Sequence, residues 1–145
     1  MAELIALVAS IAGLASVAAT VSSTLVDCAR SLVHAVADLQ ELAIDVQDLG
    51  TVLEYLGEVL ERAERHISER AIQVLTSLCK RCEKTLDELK VTAELATSRT
   101  GLIKWLFRKK KVSEHKLSLE GFKTTLSLML QTVDFAVSIG VESSK

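Results

Sequence analysis

The sequence contains no proline, and aromatic residues make up only 3% of its 145 positions. A β-sandwich or barrel of this length needs many turns and favours aromatic and β-branched strands, so the scarcity of these residues argues against an all-β fold. Glycine is also scarce, with six in the chain. Few helix-breaking residues beside many alanines, leucines, glutamates and lysines favour long helices with few interruptions.

Only three cysteines are present. They are too few and too unevenly spaced for a disulfide scaffold, which fits a reducing compartment. Cys79 and Cys82 form a CxxC pair. A metal site would need two further ligands at suitable spacing, and a redox site would need a strand-to-helix junction. We therefore interpret both cysteines as small residues of a helical core.

The chain lacks the common motifs of catalysis. Its three histidines, His34, His66 and His115, are far apart in sequence, and neither a phosphate-binding glycine loop nor an HExxH motif occurs. We interpret His66 as the partner of a helix C-terminus, where a cation is favoured. The sequence therefore predicts a protein that is not an enzyme, with no catalytic residue, no cofactor and no metal site.

Charge is absent from one long segment. The 23 residues of Leu4–Val26 are uncharged, which is long enough to cross a bilayer as a helix. A secretory signal is excluded because Glu3 stands where such a signal needs positive charge. Serines and threonines interrupt the segment and it has no aromatic belt. Its composition suits both the interior of a soluble bundle and a membrane.

Basic residues are concentrated between Arg99 and Lys123. This segment contains eight basic residues and two acidic ones, although the whole chain has a net charge of −2. The centre of this segment places bulky apolar residues beside five cations: Lys104, Trp105, Phe107, Arg108, Lys109, Lys110 and Lys111. On an anionic bilayer the cations would contact lipid headgroups while the aromatic rings enter the interface. Alternatively, Trp105 and Phe107 close the end of a helical bundle and the lysines are solvated. A nucleic-acid site is a weaker interpretation because no stacking platform accompanies the run, and we predict no nucleic-acid partner.

Heptad spacing of apolar residues predicts amphipathic helices over residues 38–67, 70–98 and 113–138, after a mostly apolar helix over residues 2–33. The fold class is therefore all-α, an up-down bundle of four main helices, or five if the first is broken. The bundle is expected to occupy residues 1–138, followed by a tail or linker over residues 139–145.

Capping residues predict the helix boundaries. Asp38 is expected to cap the second helix, Ser68 to mark a short turn, and Gly101 to end the third helix. A connector over residues 102–111 is then expected before the last helix.

Small residues indicate close helix packing at two places. In the first helix they recur at a spacing of four, in two rows: Ala9 with Gly13, and Ala12, Ser16, Thr20 and Thr24. Such rows let helices approach closely in bilayers and in soluble bundles alike. In the second helix Gly50 and Gly57 share one face, and each costs about 1 kcal/mol relative to alanine. They indicate either a closely packed neighbour or a weak point in the helix.

The order of these features resembles the fungal HeLo-like domains found at the N-terminus of NLR-type (STAND) proteins. The resemblance rests on the Met-Ala-Glu start, the apolar first helix rich in Gly, Ala and Ser, the leucine heptads of Asp38–Glu64 and the stretch Trp105–Lys111. It covers about residues 1–138. Relatives of these domains include the four-helix bundle of mixed lineage kinase domain-like protein and the coiled-coil domains of plant resistance proteins.

The resemblance implies an effector domain of programmed cell death, innate immunity and heterokaryon incompatibility. Such a domain is cytoplasmic at rest, oligomerises on activation, moves to the plasma membrane and permeabilises it through its N-terminal helix. An NTPase or amyloid-signalling module is expected to follow in the full-length protein.

We therefore expect a membrane-targeting, pore-forming domain whose partners are anionic membrane lipids and further copies of itself. The residues expected to insert lie in the first helix: Glu3, Leu4, Leu7, Ala9, Gly13, Ser16 and Thr20. The residues expected to bind lipid headgroups are Lys104, Trp105, Phe107, Arg108, Lys109, Lys110 and Lys111. The alternative is a non-lytic signalling scaffold whose heptad faces recruit partner helices.

Overall fold

A computed structural model of the chain contains four α-helices: α1 (Ala2–Ser31), α2 (Val36–Ala63), α3 (Glu69–Ala96) and α4 (Gly101–Ser143). The structure describes residues 2–31, 36–63, 67–96 and 101–143, and it describes the backbone alone at residues 31, 36–38, 92, 95–96, 101–112, 136–138 and 140–143. No strand occurs in these ranges. The predicted all-α fold is confirmed.

Contacts along α1 and α2 show that the two helices run antiparallel. The Ser22 hydroxyl of α1 donates a hydrogen bond to the Ala43 carbonyl near the start of α2, at 3.0 Å. Near the other end, Ile11 of α1 lies against Gly57 of α2. Later residues of α1 thus meet earlier residues of α2, as an up-down arrangement requires.

Ion pairs between α2 and α4 show that these two helices run parallel. Lys116 Nζ lies 2.6 Å from Glu41 Oε2, and Arg62 lies 3.9 Å from Asp134. Both pairs join residues 72 to 75 positions apart, so the two helices advance together. α1 thus runs antiparallel to α2 and α4 runs parallel to α2, as an up-down bundle requires.

Each helix packs against two neighbours. α1 and α4 both contact α2 and α3, and within the described ranges no close backbone approach joins α1 to α4 or α2 to α3. The order around the bundle is therefore α1, α2, α4, α3. α1 and α4 stand at opposite corners, and their outer faces point away from each other.

One apolar seam of each helix faces the core. The predicted leucine series is buried in α2 from Leu39 to Ala63 and in α3 from Leu75 to Ala93. α1 has an equivalent seam. The sequence did not reveal it, because the polar side chains of α1 are few and small and do not mark out the opposite face. Its buried residues follow alternating spacings of three and four: Leu4, Leu7, Ile11, Leu14, Ala18, Val21, Leu25 and Cys28.

The last helix differs from the prediction at both ends. α4 begins at Gly101 and ends at Ser143, whereas helix was expected only over residues 113–138. Gly101 therefore starts α4 and does not end α3, and residues 102–111 are helix and not a connector. Neither glycine nor proline occurs between positions 102 and 120, and leucine, lysine and arginine are good helix formers. Nothing in the basic run interrupts the helix.

Other boundaries shift by a few residues. α1 ends at Ser31, and α2 begins at Val36, which places Asp38 in the first turn of α2 and not at its N-cap. The described part of α2 ends at Ala63, and Ile67, the predicted last residue of this helix, is not helical. The described part of α1 is a single unbroken helix, so the variant with five helices is not found.

Ser68 caps the start of α3. The Ala71 N–H donates to Ser68 Oγ at 3.1 Å, and the Ile72 N–H donates to the Ser68 carbonyl at 3.1 Å. These bonds satisfy donors that the first turn of a helix leaves free. Glu69 follows in the first turn, where negative charge is favoured. The predicted turn at Ser68 is confirmed.

Candidate membrane-contact site

The residues expected to insert lie on two faces of α1. Leu4 and Leu7 belong to the buried seam, with exposed fractions of 6% and 3%. The remaining predicted residues are exposed: Glu3, Ala9, Gly13, Ser16 and Thr20. We define the outer face of α1 as its exposed, uncharged residues up to Ser23: Ala2, Ile5, Ala6, Ala9, Ser10, Ala12, Gly13, Ser16, Ala19, Thr20 and Ser23. All except Ile5 are small, so this face is smooth.

α1 has the length and composition of a membrane-spanning helix. Among the described residues, Ala2–Arg30 is the one helix that meets both conditions, with a mean hydropathy of 2.3 over its most apolar 18-residue window. Within that window 39% of the residues are buried. A core helix of a soluble protein can have the same properties, so length and hydropathy permit insertion without demonstrating it.

Two threonine hydroxyls in α1 form hydrogen bonds within the helix. Thr20 Oγ1 donates to the Ser16 carbonyl at 3.2 Å, and Thr24 Oγ1 donates to the Thr20 carbonyl at 3.0 Å. Polar groups that are satisfied inside their own helix can enter a bilayer without leaving a donor unpaired. These two threonines are therefore compatible with either environment.

Close packing holds the inner side of α1 against α2. A Cβ atom added at Gly50 would lie 3.3 Å from Ala18 Cβ, and one added at Gly57 would lie 3.5 Å from Ile11 Cγ2. Of the two interpretations of these glycines, the close approach of a neighbouring helix is the one that the structure supports. The hydrogen bond from Ser22 to α2 adds a polar tie at the same interface.

Open grooves border α1 on both sides. The groove toward α3 has a volume of about 440 Å³ and is lined by Glu3, Ser10 and Lys80 among others. The groove toward α2 has a volume of about 500 Å³, and Ala12 and Ser16 line it. Small side chains on the flanks of α1 leave these spaces unfilled. α1 is therefore packed along its seam, while its flanks and outer face are open to solvent.

The residues expected to bind headgroups lie in the first three turns of α4, over Lys104–Lys111. Their side chains are outside the described part of the chain. Because Lys116 pairs with Glu41 near the start of α2, this basic segment lies at the end of the bundle where α2 begins and α1 ends. Glu3 lies at the opposite end, roughly 40 Å away along a helix with a rise of about 1.5 Å per residue. The structure does not bring the two predicted sets together.

A polar groove between α3 and α4 was not predicted from the sequence. Its volume is about 660 Å³, and Arg81, Lys84 and Glu88 line it together with His115. The His115 side chain is 8% exposed, and its Nε2 lies 3.6 Å from Glu88 Oε2. The sequence does contain a signal for the burial of His115, because this residue lies four positions before Leu119 on the heptad of apolar residues. No group of His, Cys, Asp or Glu in the described ranges is arranged to hold a metal ion.

The cysteines lie in the core, as predicted. Cys79 and Cys82 are 5% and 0% exposed. Burial raises the pKa of Cys79 to about 11 and that of Cys82 to about 12, so neither thiol ionises appreciably at neutral pH. Cys28 is also buried, and its thiol donates to the Ala93 carbonyl at 3.0 Å. The predictions for His34 and His66 fall outside the described residues.

The four helices together correspond to one known family. A family model described as "Pigment biosynthesis cluster protein PigL N-terminal" matches residues 2–143, which include all of α1 to α4. The chain belongs to this family. The match to the PigL N-terminal family thus covers the whole bundle and not only a segment of it. No curated protein and no solved structure matches the chain.

Proposed function

We propose that this bundle is a non-enzymatic, membrane-permeabilising module of cell death that acts by releasing α1 into a bilayer, as the resemblance to fungal HeLo-like domains implies. It is cytoplasmic at rest and reaches the plasma membrane on activation. The observation that carries the proposal is the architecture of α1. This 30-residue helix has no charge over Leu4–Val26, packs along one seam and leaves its outer face uncharged.

The buried seam keeps α1 in the bundle until a bilayer is available. Six large aliphatic side chains of α1 are buried: Leu4, Leu7, Ile11, Leu14, Val21 and Leu25. Each contributes about 1.5–3 kcal/mol, so their release into water would cost roughly 10–20 kcal/mol. A bilayer removes this cost because the same side chains stay in apolar surroundings and the outer face of α1 is buried as well. Release must therefore be coupled to insertion.

The basic segment gives the domain an orientation on the membrane. Each cation near an anionic surface contributes about 1 kcal/mol, and Lys104–Lys111 holds five of them. α1 joins α2 at this same end of the bundle, so a domain held by the basic segment keeps the attached end of α1 beside the lipid. The opposite end of α1, which carries Glu3, is then the end that moves during insertion.

Clustering of several copies is the proposed trigger, and the family description as an N-terminal region fits a domain followed by further modules. We propose that an NTPase or amyloid-signalling module follows in the full-length protein and drives the clustering. The alternative function is a non-lytic oligomerisation scaffold. The complete heptad seam in α1 favours it, because that seam is the same as those of the other core helices.

Dye release from anionic and neutral liposomes tests the proposal. The wild-type protein is compared with a variant carrying Lys109→Glu, Lys110→Glu and Lys111→Glu. The matched control reverses three exposed cations of α3, Lys80→Glu, Arg81→Glu and Lys84→Glu, and changes the net charge equally. We expect wild-type and control proteins to release dye from anionic vesicles only, and the basic-segment variant to release none. Circular dichroism checks that all three remain helical.

Two outcomes would contradict the proposal. If soluble, helical wild-type protein releases no dye at any concentration, the isolated domain does not attack membranes, and binding without leakage would support the scaffold. If both triple variants lose activity equally, net charge and not the basic segment governs the interaction.

A further inference from the structure

The outer face of α4 carries exposed, large apolar residues in a line. Leu117, Leu128, Phe135 and Ile139 are 75%, 59%, 68% and 47% exposed. Their spacings of eleven, seven and four residues correspond to about three, two and one helical turns, so all four share one face. Glu120 borders this face, and four exposed positions between the large residues are uncharged: Gly121, Thr124, Gln131 and Thr132. We call these eight residues the α4 ridge.

The α4 ridge and the outer face of α1 are long uncharged surfaces of the bundle, and they lie at opposite corners. The outward residues of the other two helices mix charged side chains with single large apolar ones, Ile44 and Tyr55 on α2 and Val74 and Val91 on α3. α2 exposes Glu54, Glu58 and Glu61, and α3 exposes Lys80, Glu83, Lys84 and Asp87. The two long uncharged surfaces therefore differ in the size of their residues, the α4 ridge carrying large side chains and the outer face of α1 small ones.

The two faces match in length and height. The α4 ridge spans about 33 Å and the outer face of α1 about 32 Å at 1.5 Å per residue. Ile11 lies against Gly57, and five residues later in α2 Arg62 pairs with Asp134. Because α2 and α4 run parallel, the position of α4 that is level with Gly57 lies five residues before Asp134. Gly13 of α1 and Leu128 of α4 therefore lie at about the same level along the bundle axis.

We propose that the α4 ridge binds the outer face of α1 of a second copy of this chain. Copies standing side by side in the same orientation would place Leu128 of one opposite Gly13 of the next, with large side chains against small ones. The two helices would run antiparallel, as they do within one copy. The proposal names the surface for the self-association in the proposed function and in that sense rests on it, but it requires no membrane.

The geometry of this contact predicts how copies assemble. Two different faces meet, so a pair of copies keeps one unused face of each kind, one on each copy, and the assembly extends into a ring or a row. A contact of about 33 Å by 11 Å covers roughly 350 Å² on each copy, below the roughly 1,200 Å² in total that stable interfaces bury. A single contact is therefore weak, and assembly needs a high local concentration such as clustering provides.

Cysteine cross-linking without lipid tests the proposal. Gly13→Cys enters open space and Leu128→Cys replaces an exposed side chain, so both variants should fold. Background is low because the native cysteines are buried. In concentrated protein under mild oxidation, we expect the double variant to give a ladder of covalent oligomers. The two single variants should stay monomeric alone and give only dimers when mixed. A double variant of Gly13→Cys with Val91→Cys, exposed on α3, should give no ladder.

Three results would overturn the proposal. Cross-linking by Leu128→Cys alone would show that the α4 ridge meets another α4 ridge. Absence of a ladder at the highest soluble concentration would show that the two faces do not meet. Protection of Leu128→Cys from a thiol reagent by anionic vesicles, without any ladder, would assign the α4 ridge to lipid. Because lipid is absent from the cross-linking itself, failure of dye release leaves this test intact.

Discussion

At the scale of single residues, glycine decides how closely α1 approaches α2. Ala18 Cβ lies 3.3 Å from the position of a Cβ at Gly50, whereas no atom lies within 4 Å of the same position at Gly121. Both glycines are inside helices. The same substitution therefore meets a neighbouring helix at one site and open space at the other.

We expect Gly121→Ala to raise the free energy of unfolding by about 0.5–1 kcal/mol, because alanine is the better helix former and nothing opposes it. Gly50→Ala should give a smaller gain or a loss, because Ala18 must move, and Gly50→Leu should destabilise by about 1–3 kcal/mol through overpacking. Urea unfolding measures all three. Equal gains for both alanine variants would show that α1 does not pack closely at Gly50.

The ion pair between α4 and α2 gives a test by pH. A hydrogen bond from Lys116 and its positive charge lower the pKa of Glu41 below its ordinary value of 4.5. The pair therefore adds stability above that value, and the contribution is lost as the pH falls through the lowered pKa. In an NMR titration we expect Lys116→Gln to move the midpoint of Glu41 upward. Lys84→Gln, on α3, should leave it unchanged, and an unchanged midpoint in both variants would show that the pair does not form in solution.

At the scale of helices, periodicity predicted what each seam buries but not which helices become neighbours. The leucines of α2 and α3 are buried as predicted. The order α1, α2, α4, α3 could not be predicted, because every seam has the same spacing and similar residues. The start of α4 was missed because Gly101 was interpreted as a helix end, although the basic run after it contains no residue that stops a helix.

The two faces of α1 could have been predicted from side-chain size. Polarity gives no signal over Leu4–Val26, but most of its large residues follow the heptad, which Ala18 completes, and every uncharged exposed residue except Ile5 is small. The basic segment was recognised from composition alone, whereas its distance from Glu3 follows from the direction of α4, which the sequence does not specify. The α4 ridge was missed because its residues are interleaved with an inner seam of equal hydrophobicity.

The cap of α3 gives a test at the same scale. We expect Ser68→Ala to lower the free energy of unfolding by about 0.5–2 kcal/mol, because the Ala71 N–H loses its acceptor. Ser77→Ala, at an exposed position inside α3, should cost nothing or stabilise slightly. Thermal or urea unfolding compares the two. An equal effect at both positions would mean that Ser68 does not cap the helix.

At the scale of the whole molecule, α1 is both part of the core and the element proposed to leave it. Of the thirty buried apolar residues in the described ranges, ten belong to α1. Truncation of α1 would remove a third of this core, so loss of activity on truncation would not separate unfolding from loss of the inserting helix. A test of release must keep α1 in place and change only its freedom to move.

A reversible disulfide between α1 and α2 provides that test. Disulfide-bonded cysteines have Cβ atoms about 3.5–4.5 Å apart, close to the 3.3 Å between Ala18 and a Cβ at Gly50. The measurement is dye release from anionic liposomes by the Ala18→Cys/Gly50→Cys variant, oxidised and then reduced, beside the two single variants. We expect the oxidised protein to stay folded and release no dye, and reduction to restore release. Full dye release by the oxidised protein would contradict the account, because α1 would then not need to leave α2.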